Sequence, residues 1–393
     1  MGTGENAPPA WRRVLHPSTA AALGLFLAAR LILSALGLAL WQAGFVPTEP
    51  EAERRPYFGV APANRGLRGA LLGVWQRFDS IHYQRIAENG YSSEDLSAFP
   101  PLYPLLSRVG GLLFGGDALA GGLLISNVAC LLALIVLHRG LEQEGAPGAV
   151  AGRSLAYLLL FPTGFFLLAP YTESLFLLLV VICLREARRE RWPAAAAAGF
   201  LAALTRLNGA MLSLALLVEA LSQSRSSLRG LVARLLAAAA PASGLAAFLL
   251  WRDLAGFPSL AEVQLQYWQR LPALPWEAVL QTLQRFARGE SQMIEALDLA
   301  VVLGMVALGV VVARRLPKPY AVYFWAMLLF ALFQLRIGQP LSGVGRYSLA
   351  LFPAFTILAW WGQRPWANRA ILYPFIGLWL YLAGQYVLWG WVG

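Results

Sequence analysis

Apolar stretches of roughly 17 to 25 residues, the length that crosses a hydrocarbon core as a helix, recur along the whole chain between polar connections. The pattern predicts membrane helices near 18–45, 118–137, 154–170, 174–184, 193–205, 209–222, 231–251, 299–313, 320–338, 346–361 and 370–391. The fold class expected is an all-α polytopic membrane protein, one domain over 1–393 with about 11 transmembrane helices. The pieces between 174 and 222 are short, and some are expected to dip into the bilayer rather than span it. The first run exceeds the roughly 7 to 15 apolar residues of a signal-peptide core and is read as a helix that stays.

Two connections are long, 46–117 and 252–298, while the alternate ones are short. A long connection in a compact protein is functional or disordered, and Trp75, Phe78, Tyr83, Ile86, Tyr91 and Phe99 argue against disorder in the first. Apolar and ring-bearing side chains at 71, 72, 74, 75, 78, 81, 82 and 86 fall near helical spacing. They predict an amphipathic helix lying along the membrane surface with Asp79 near its middle.

Composition excludes a soluble globule, since only 13% of residues are charged where about a quarter is usual. The net charge of +10 raises nucleic acid as a partner, but topology accounts for it. With the N-terminus inside, the short connections carry Arg12, Arg13, Arg139, Arg153, Arg185, Arg188, Arg189, Arg191, Arg225, Arg229, Arg234, Arg314, Arg315, Lys318, Arg364 and Arg369. Only Glu5, Glu142, Glu144, Glu186, Glu190 and Glu219 oppose them there. Basic residues in short loops fix orientation during insertion, so no nucleic-acid partner is needed, and both long loops fall on the non-cytoplasmic side. Cys130 and Cys183 lie inside apolar runs and are read as packing residues; the three histidines are scattered and make no zinc site.

Four polar constellations then share one face. They are Asp79 with His82 and, further on, Glu94; "PYTESLF" with Tyr171 and Glu173; "TRLNG" with Arg206 and Asn208; and "GVGRYS" with Arg346. Ionisable groups at membrane depth are costly, so they face a cavity or one another and mark substrate paths. Each has a plainer reading too. Asp79 could pair with Arg77 or Arg85 on a solvated helix, Glu173 could simply start a helix, Arg206 could sit at a hairpin tip, and Arg346 could be interfacial.

"FDSIHYQRIAENGYSSEDLSAFPPLYPLL" resembles the first luminal loop of the PIG-V family, the mannosyltransferases that add the second mannose of eukaryotic GPI. "FPTGFFLLAPYTESLF", "GFLAALTRLNG" and "RYSLALFPAF" are similar to later segments of that family and come in family order. Phe78 stands where Trp is usual and Pro100 where a second Phe is common. The resemblance implies a GT-C-type bundle that takes a sugar from a polyprenyl phosphate carrier on the non-cytoplasmic face of a cell membrane, with a glycolipid or glycoprotein as acceptor.

Inverting transfer needs one carboxylate to take the acceptor hydroxyl's proton, and Asp79 is the candidate catalytic residue. A leaving lipid phosphate needs preorganised cations, for which Arg206 and Arg346 are the candidates, with His82 as helper. Glu94, Tyr171, Glu173 and Asn208 are expected to position the sugar or orient the arginines. No acidic pair of the DxD kind occurs, so the expectation is a metal-independent enzyme without a cofactor. A transporter or flippase of lipid-linked sugars, and an assembly subunit without chemistry, are the alternatives; the first is disfavoured because no pair of related half sequences is present.

Overall fold

The computed structural model describes residues 16–47, 49–51, 53–223 and 227–392. Arg12, Arg13, Arg225 and Glu5 of the charge pattern lie outside the described residues. The chain is a helical, multi-pass membrane protein. Five helices are long and apolar enough to cross a bilayer: α1 (Pro17–Gln42), α5 (Ala118–Gln143), α10 (Leu228–Leu254), α13 (Met293–Arg315) and α17 (Pro365–Val387). Shorter helices fill the spaces among them, α6 (Gly148–Leu159), α7 (Glu173–Arg188), α8 (Trp192–Ala203), α9 (Leu212–Ser222), α14 (Lys318–Leu332) and α16 (Phe352–Trp361).

The short pieces are short because they are interior. Helix α7 is buried almost all round, packed between α5 and α8, so its apolar run answers to protein neighbours rather than to bilayer thickness. Helix α5 is the most enclosed of the long helices. Its start is fixed by Asp117, whose side chain accepts from the backbone N–H of Leu119 and Ala120 at 3.0 and 3.1 Å.

Three boundaries differ from the sequence reading. The helix expected over 154–170 stops at Leu159 and continues as turns that include a 3-10 segment, Gly164–Leu167. Thr163 there is needed as a hydroxyl donor to the carbonyl of Gly345, 2.8 Å away. The run 346–361 is broken into a short helix, α15 (Val344–Tyr347), a 3-10 turn and α16. The run 320–338 ends at Leu332 and gives way to a strand, β2 (Gln334–Arg336), paired antiparallel with β1 (Arg270–Pro272).

The first long connection differs most. Instead of one surface helix over 71–86 it forms α2 (Gly66–Leu71), a 3-10 turn, and α3 (Asp79–Asn89), with Asp79 at the first position rather than near a middle. The break lies at Phe78, whose φ of 49° is a conformation that a bulky residue rarely adopts. Helix α3 buries Asp79, Ser80, Ile81, His82, Tyr83, Gln84, Ile86 and Ala87, so it is inserted into the protein. The surface amphipathic helix is instead α4 (Leu102–Gly111), which buries Tyr103 and Ser107 and exposes Leu105 and Val109.

Helices α4 and α5 approach backbone to backbone. A Cβ added at Gly121 would lie 2.1 Å from the Ser107 carbonyl oxygen and 2.3 Å from the Gly111 nitrogen. Small residues at such crossings let membrane helices pack closely. Gly121→Ala should therefore destabilise the protein by about 1–3 kcal/mol, the usual cost of overpacking, read as a lowered thermal unfolding midpoint in detergent. An unchanged midpoint would mean that the two helices part without cost.

The two ends of the bundle differ in chemistry. Arg139 donates to Thr19 at 2.8 Å, Arg188 to Glu144 at 2.7 Å, and Arg153 to the Ala359 carbonyl at 3.3 Å. The arginine-rich connections thus meet one another at one end, and the strands and α3 sit at the other.

Candidate functional site

Each of the four constellations reaches the site by a different local device. The turn before α3 is pinned at the Arg77 carbonyl, which accepts from Tyr171 Oη at 3.1 Å and from Ser80 Oγ at 2.8 Å. Arg77 itself spends its guanidinium on the carbonyls of Gly73, Gln76 and Val387. It is a structural clamp and not the partner of Asp79. Asp79 and Glu173 are the first residues of α3 and α7, where the helix dipole favours a carboxylate. Arg206 stands just before a 3-10 turn, Leu207–Met211. Arg346 follows Gly343, whose φ of 87° is one that glycine adopts freely.

These residues form one chain of charge. Arg346 Nη1 donates to Asp79 Oδ2 at 2.7 Å, and Arg346 Nε lies 3.3 Å from Glu173 Oε1. The same Glu173 oxygen accepts from Arg206 Nη1, which also donates to the Thr172 hydroxyl at 3.0 Å. Asp79, Glu173 and Arg346 are buried, and Arg206 is partly open. Aromatic faces line the arginines: Arg346 lies 5.5 Å from the ring centres of both Phe166 and Tyr171, and Arg206 lies 5.0 Å from that of Tyr347.

Burial pushes the Asp79 carboxyl up, but Arg346, with smaller help from His82 and Arg270, outweighs it and holds the group below its ordinary value. The carboxylate is therefore ionised at neutral pH.

The other expected residues stand around this core. His82 Nδ1 is 3.4 Å from Asp95 Oδ2, and its ring stacks on Phe99 at 5.3 Å and meets Trp268 edge-on at 5.1 Å. Arg85 donates to Asp95 at 2.6 Å, so neither it nor Arg77 neutralises Asp79. Glu94 is exposed at the rim and accepts from Tyr267 Oη at 3.1 Å. Asn208 is buried in the 3-10 turn that precedes α9, and Tyr171 lies beneath Arg346. Among the described residues no three His, Cys, Asp or Glu side chains are grouped as a metal site requires.

Two site residues were not singled out from the sequence. Arg270 and Arg336 are placed side by side by the β1–β2 pairing; Arg270 donates to Tyr347 Oη at 2.7 Å, and Arg336 lies over the Trp391 ring at 4.7 Å. Both act electrostatically on or with Asp79, yet among the described residues neither is within ion-pair distance of a carboxylate. Arg270 is one of four arginines in the connection 252–298, and Arg336 lies inside the run read as a membrane helix over 320–338. Three buried polar atoms here have no hydrogen-bond partner among the described residues: Glu173 Oε2, Trp268 Nε1 and Arg346 Nε, the last of which is held by its ion pair with Glu173. The arrangement offers a positioned carboxylate, four arginines against two carboxylates, and buried groups without partners, which suits a reaction that moves a proton beside a dianion.

A family model described as Mannosyltransferase (PIG-V) matches residues 26–224. GPI mannosyltransferase 2 of Yarrowia lipolytica is 34% identical over 149 residues, which is 38% of this chain and 40% of that protein. GPI alpha-1,6-mannosyltransferase 2 of Rattus norvegicus is 35% identical over 155 residues, 36% of this chain and 30% of that one. The matched part spans between about a quarter and two fifths of such curated relatives. Among solved structures, ArnT from Cupriavidus metallidurans bound to undecaprenyl phosphate aligns with a TM-score of 0.51 over 94% of this chain and 76% of that one. At 16% identity this is a likeness of fold.

Proposed function

Because the chain belongs to the mannosyltransferase (PIG-V) family, we propose that it transfers a hexose, mannose first, from a polyprenyl phosphate sugar to a hydroxyl of a glycolipid or glycoprotein, with inversion. Asp79 takes the proton of the acceptor hydroxyl as its oxygen bonds to the anomeric carbon. The bond from that carbon to the carrier phosphate breaks, and the phosphate monoester leaves with the electron pair. Arg346 keeps Asp79 ionised and oriented, and Glu173 links Arg346 to Arg206 so that the cations are set before the donor arrives. Arg270 and Arg336, which have no carboxylate within ion-pair distance among the described residues, join Arg206 and Arg346 in holding the phosphate. His82, on its aromatic stack, and Asn208, Tyr171 and Glu94 line the sugar's approach. The observation that carries the reading is the Asp79–Arg346–Glu173–Arg206 chain of contacts between segments far apart in sequence.

In this reading the active site faces the non-cytoplasmic side and about eleven segments enter the bilayer, some of those between 174 and 222 dipping into it rather than spanning it. The convergence of the arginine-rich connections at the opposite end supports this. Both cysteines are buried and can be replaced by alanine. In that background Ser92→Cys should react with an impermeant thiol reagent from outside intact cells, and Gln363→Cys only after rupture. The reverse order would invert the topology and remove the mechanism.

The donor is tested directly. Purified protein should transfer mannose from polyprenyl phosphate mannose with EDTA present, and should not use GDP-mannose. Transfer from the nucleotide sugar alone, or complete loss with EDTA, would overturn the assignment. A flippase would move the lipid-linked sugar and make no product in this assay.

A further inference from the structure

At the end of the bundle remote from Asp79 there is a cavity of about 690 Å³, with Arg188 and Arg315 in its wall. Helix α7 has 16 residues, with Glu173 first and Arg188 last, so the cavity lies about 22 Å along the helix axis from the site. Helix α13 makes the same journey from Asp298, beside Gly345, to Arg315. The volume falls in the range of small-molecule sites, about 300–1,000 Å³. The cavity therefore belongs to neither the sugar nor the phosphate subsite.

Its walls are those of an amphiphile site. Phe352, Pro353 and Ile357 line it together with Trp360 and Trp361, which are 43% and 48% exposed at the end of α16, where membrane aromatics gather. Glu144 is the carboxylate in the wall, and its charge is already engaged: Arg188 Nε donates to it at 2.7 Å and Tyr320 Oη at 2.5 Å. Arg188 also lies 3.6 Å from Glu219. Arg315, exposed at the end of α13, has no ion-pair or hydrogen-bond partner among the described residues. The cavity thus presents one unneutralised cation above an apolar, aromatic floor.

We infer that this cavity binds the headgroup of an anionic glycerophospholipid, its phosphate on Arg315 and its acyl chains against the α16 aromatics. Basic pockets between membrane helices recognise such headgroups, and the surrounding Arg139, Arg185, Lys318 and Arg364 place the whole end of the bundle in a field that favours anions. The inference does not depend on which reaction the distant site performs.

The test uses the purified full chain in detergent, titrated with phosphatidylglycerol, with phosphatidylcholine and with undecaprenyl phosphate, and reads bound lipid by native mass spectrometry. Phosphatidylglycerol should be retained in preference to the other two. Arg315→Gln should weaken its retention about fivefold, the effect of one cation near a lipid phosphate, and leave phosphatidylcholine binding unchanged. Trp361→Ala should weaken both phospholipids. The unfolding midpoint of each variant, taken without added lipid, shows whether the fold is retained. Equal retention of the two phospholipids, indifference to Arg315→Gln in a folded variant, or preference for undecaprenyl phosphate would each overturn the assignment.

Discussion

Asp79→Asn should lower the turnover number for sugar transfer by about 10² to 10⁴-fold, the range for removal of a positioned general base, while leaving the protein folded. Asparagine keeps the shape at the first position of α3 and the ability to accept from Arg346, whose other neighbour Glu173 stays in place. What it lacks is the basicity. The split between kinetic constants is informative, because a residue that only oriented Arg346 would act through the donor requirement. A base role predicts that kcat falls and the donor KM moves little. The pH dependence follows from the same pair. The Asp79 pKa is depressed in the folded protein, so its contribution to stability is full above the ordinary 3.8 and is lost as pH falls through the lower folded value. Transfer should accordingly show no acid limb from Asp79 between pH 5 and pH 7 on a scale set by ordinary carboxylates of about 4. Near-normal turnover by the asparagine variant would reduce Asp79 to a partner of Arg346.

Arg346→Ala has the second largest expected effect, and it acts on stability and donor use together. The guanidinium neutralises Asp79 and lies beside Glu173, both buried. Removing one partner of a buried ion pair costs about 3–5 kcal/mol, because the charge left behind has neither water nor a counter-ion. Glu173 retains Arg206, so the loss falls on Asp79. The thermal unfolding midpoint should drop, and the donor KM should rise more than the acceptor KM. Arg346→Lys restores charge without the planar fork and should recover stability better than donor affinity. A variant with unchanged midpoint and unchanged donor KM would place the phosphate elsewhere. Raising Asp79→Asn in the Arg346→Ala background separates the two effects, since the neutral amide removes the uncompensated charge and should return part of the lost stability.

Much of the site was legible because membrane chains write polar residues sparingly. Asp79, Glu173, Arg206 and Arg346 stood out against apolar surroundings, and the arginine distribution put them at one end before any contact was known. Which carboxylate meets which cation was not legible. Local spacing offered Arg77 and Arg85 to Asp79, yet Arg77 is consumed by backbone carbonyls and Arg85 by Asp95. The partner is 267 residues away. Periodicity also failed at Phe78, where a hydrogen bond from Tyr171 rewards a break that no adjacent proline or glycine announces, whereas after Leu159 the break held by Thr163 is marked by Pro162 and Gly164. Arg30 was passed over inside the first apolar run; it donates to the Leu168 carbonyl at 3.1 Å and lies over Trp75. Arg270 and Arg336 were missed because their proximity arises from a three-residue strand pair too short to leave an alternating pattern.

The distance in sequence between Asp79 and Arg346 has a consequence for biosynthesis. Glu173 and Arg206 are only 33 residues apart and can neutralise each other as soon as the second of them is threaded into the membrane. Asp79 must wait for 267 further residues before its counter-ion exists. A ribosome-bound intermediate that has inserted the segments up to Arg206 therefore carries a carboxylate that is either hydrated or protonated. Synthesis as far as Arg346 supplies the counter-ion that fixes its charge and its orientation.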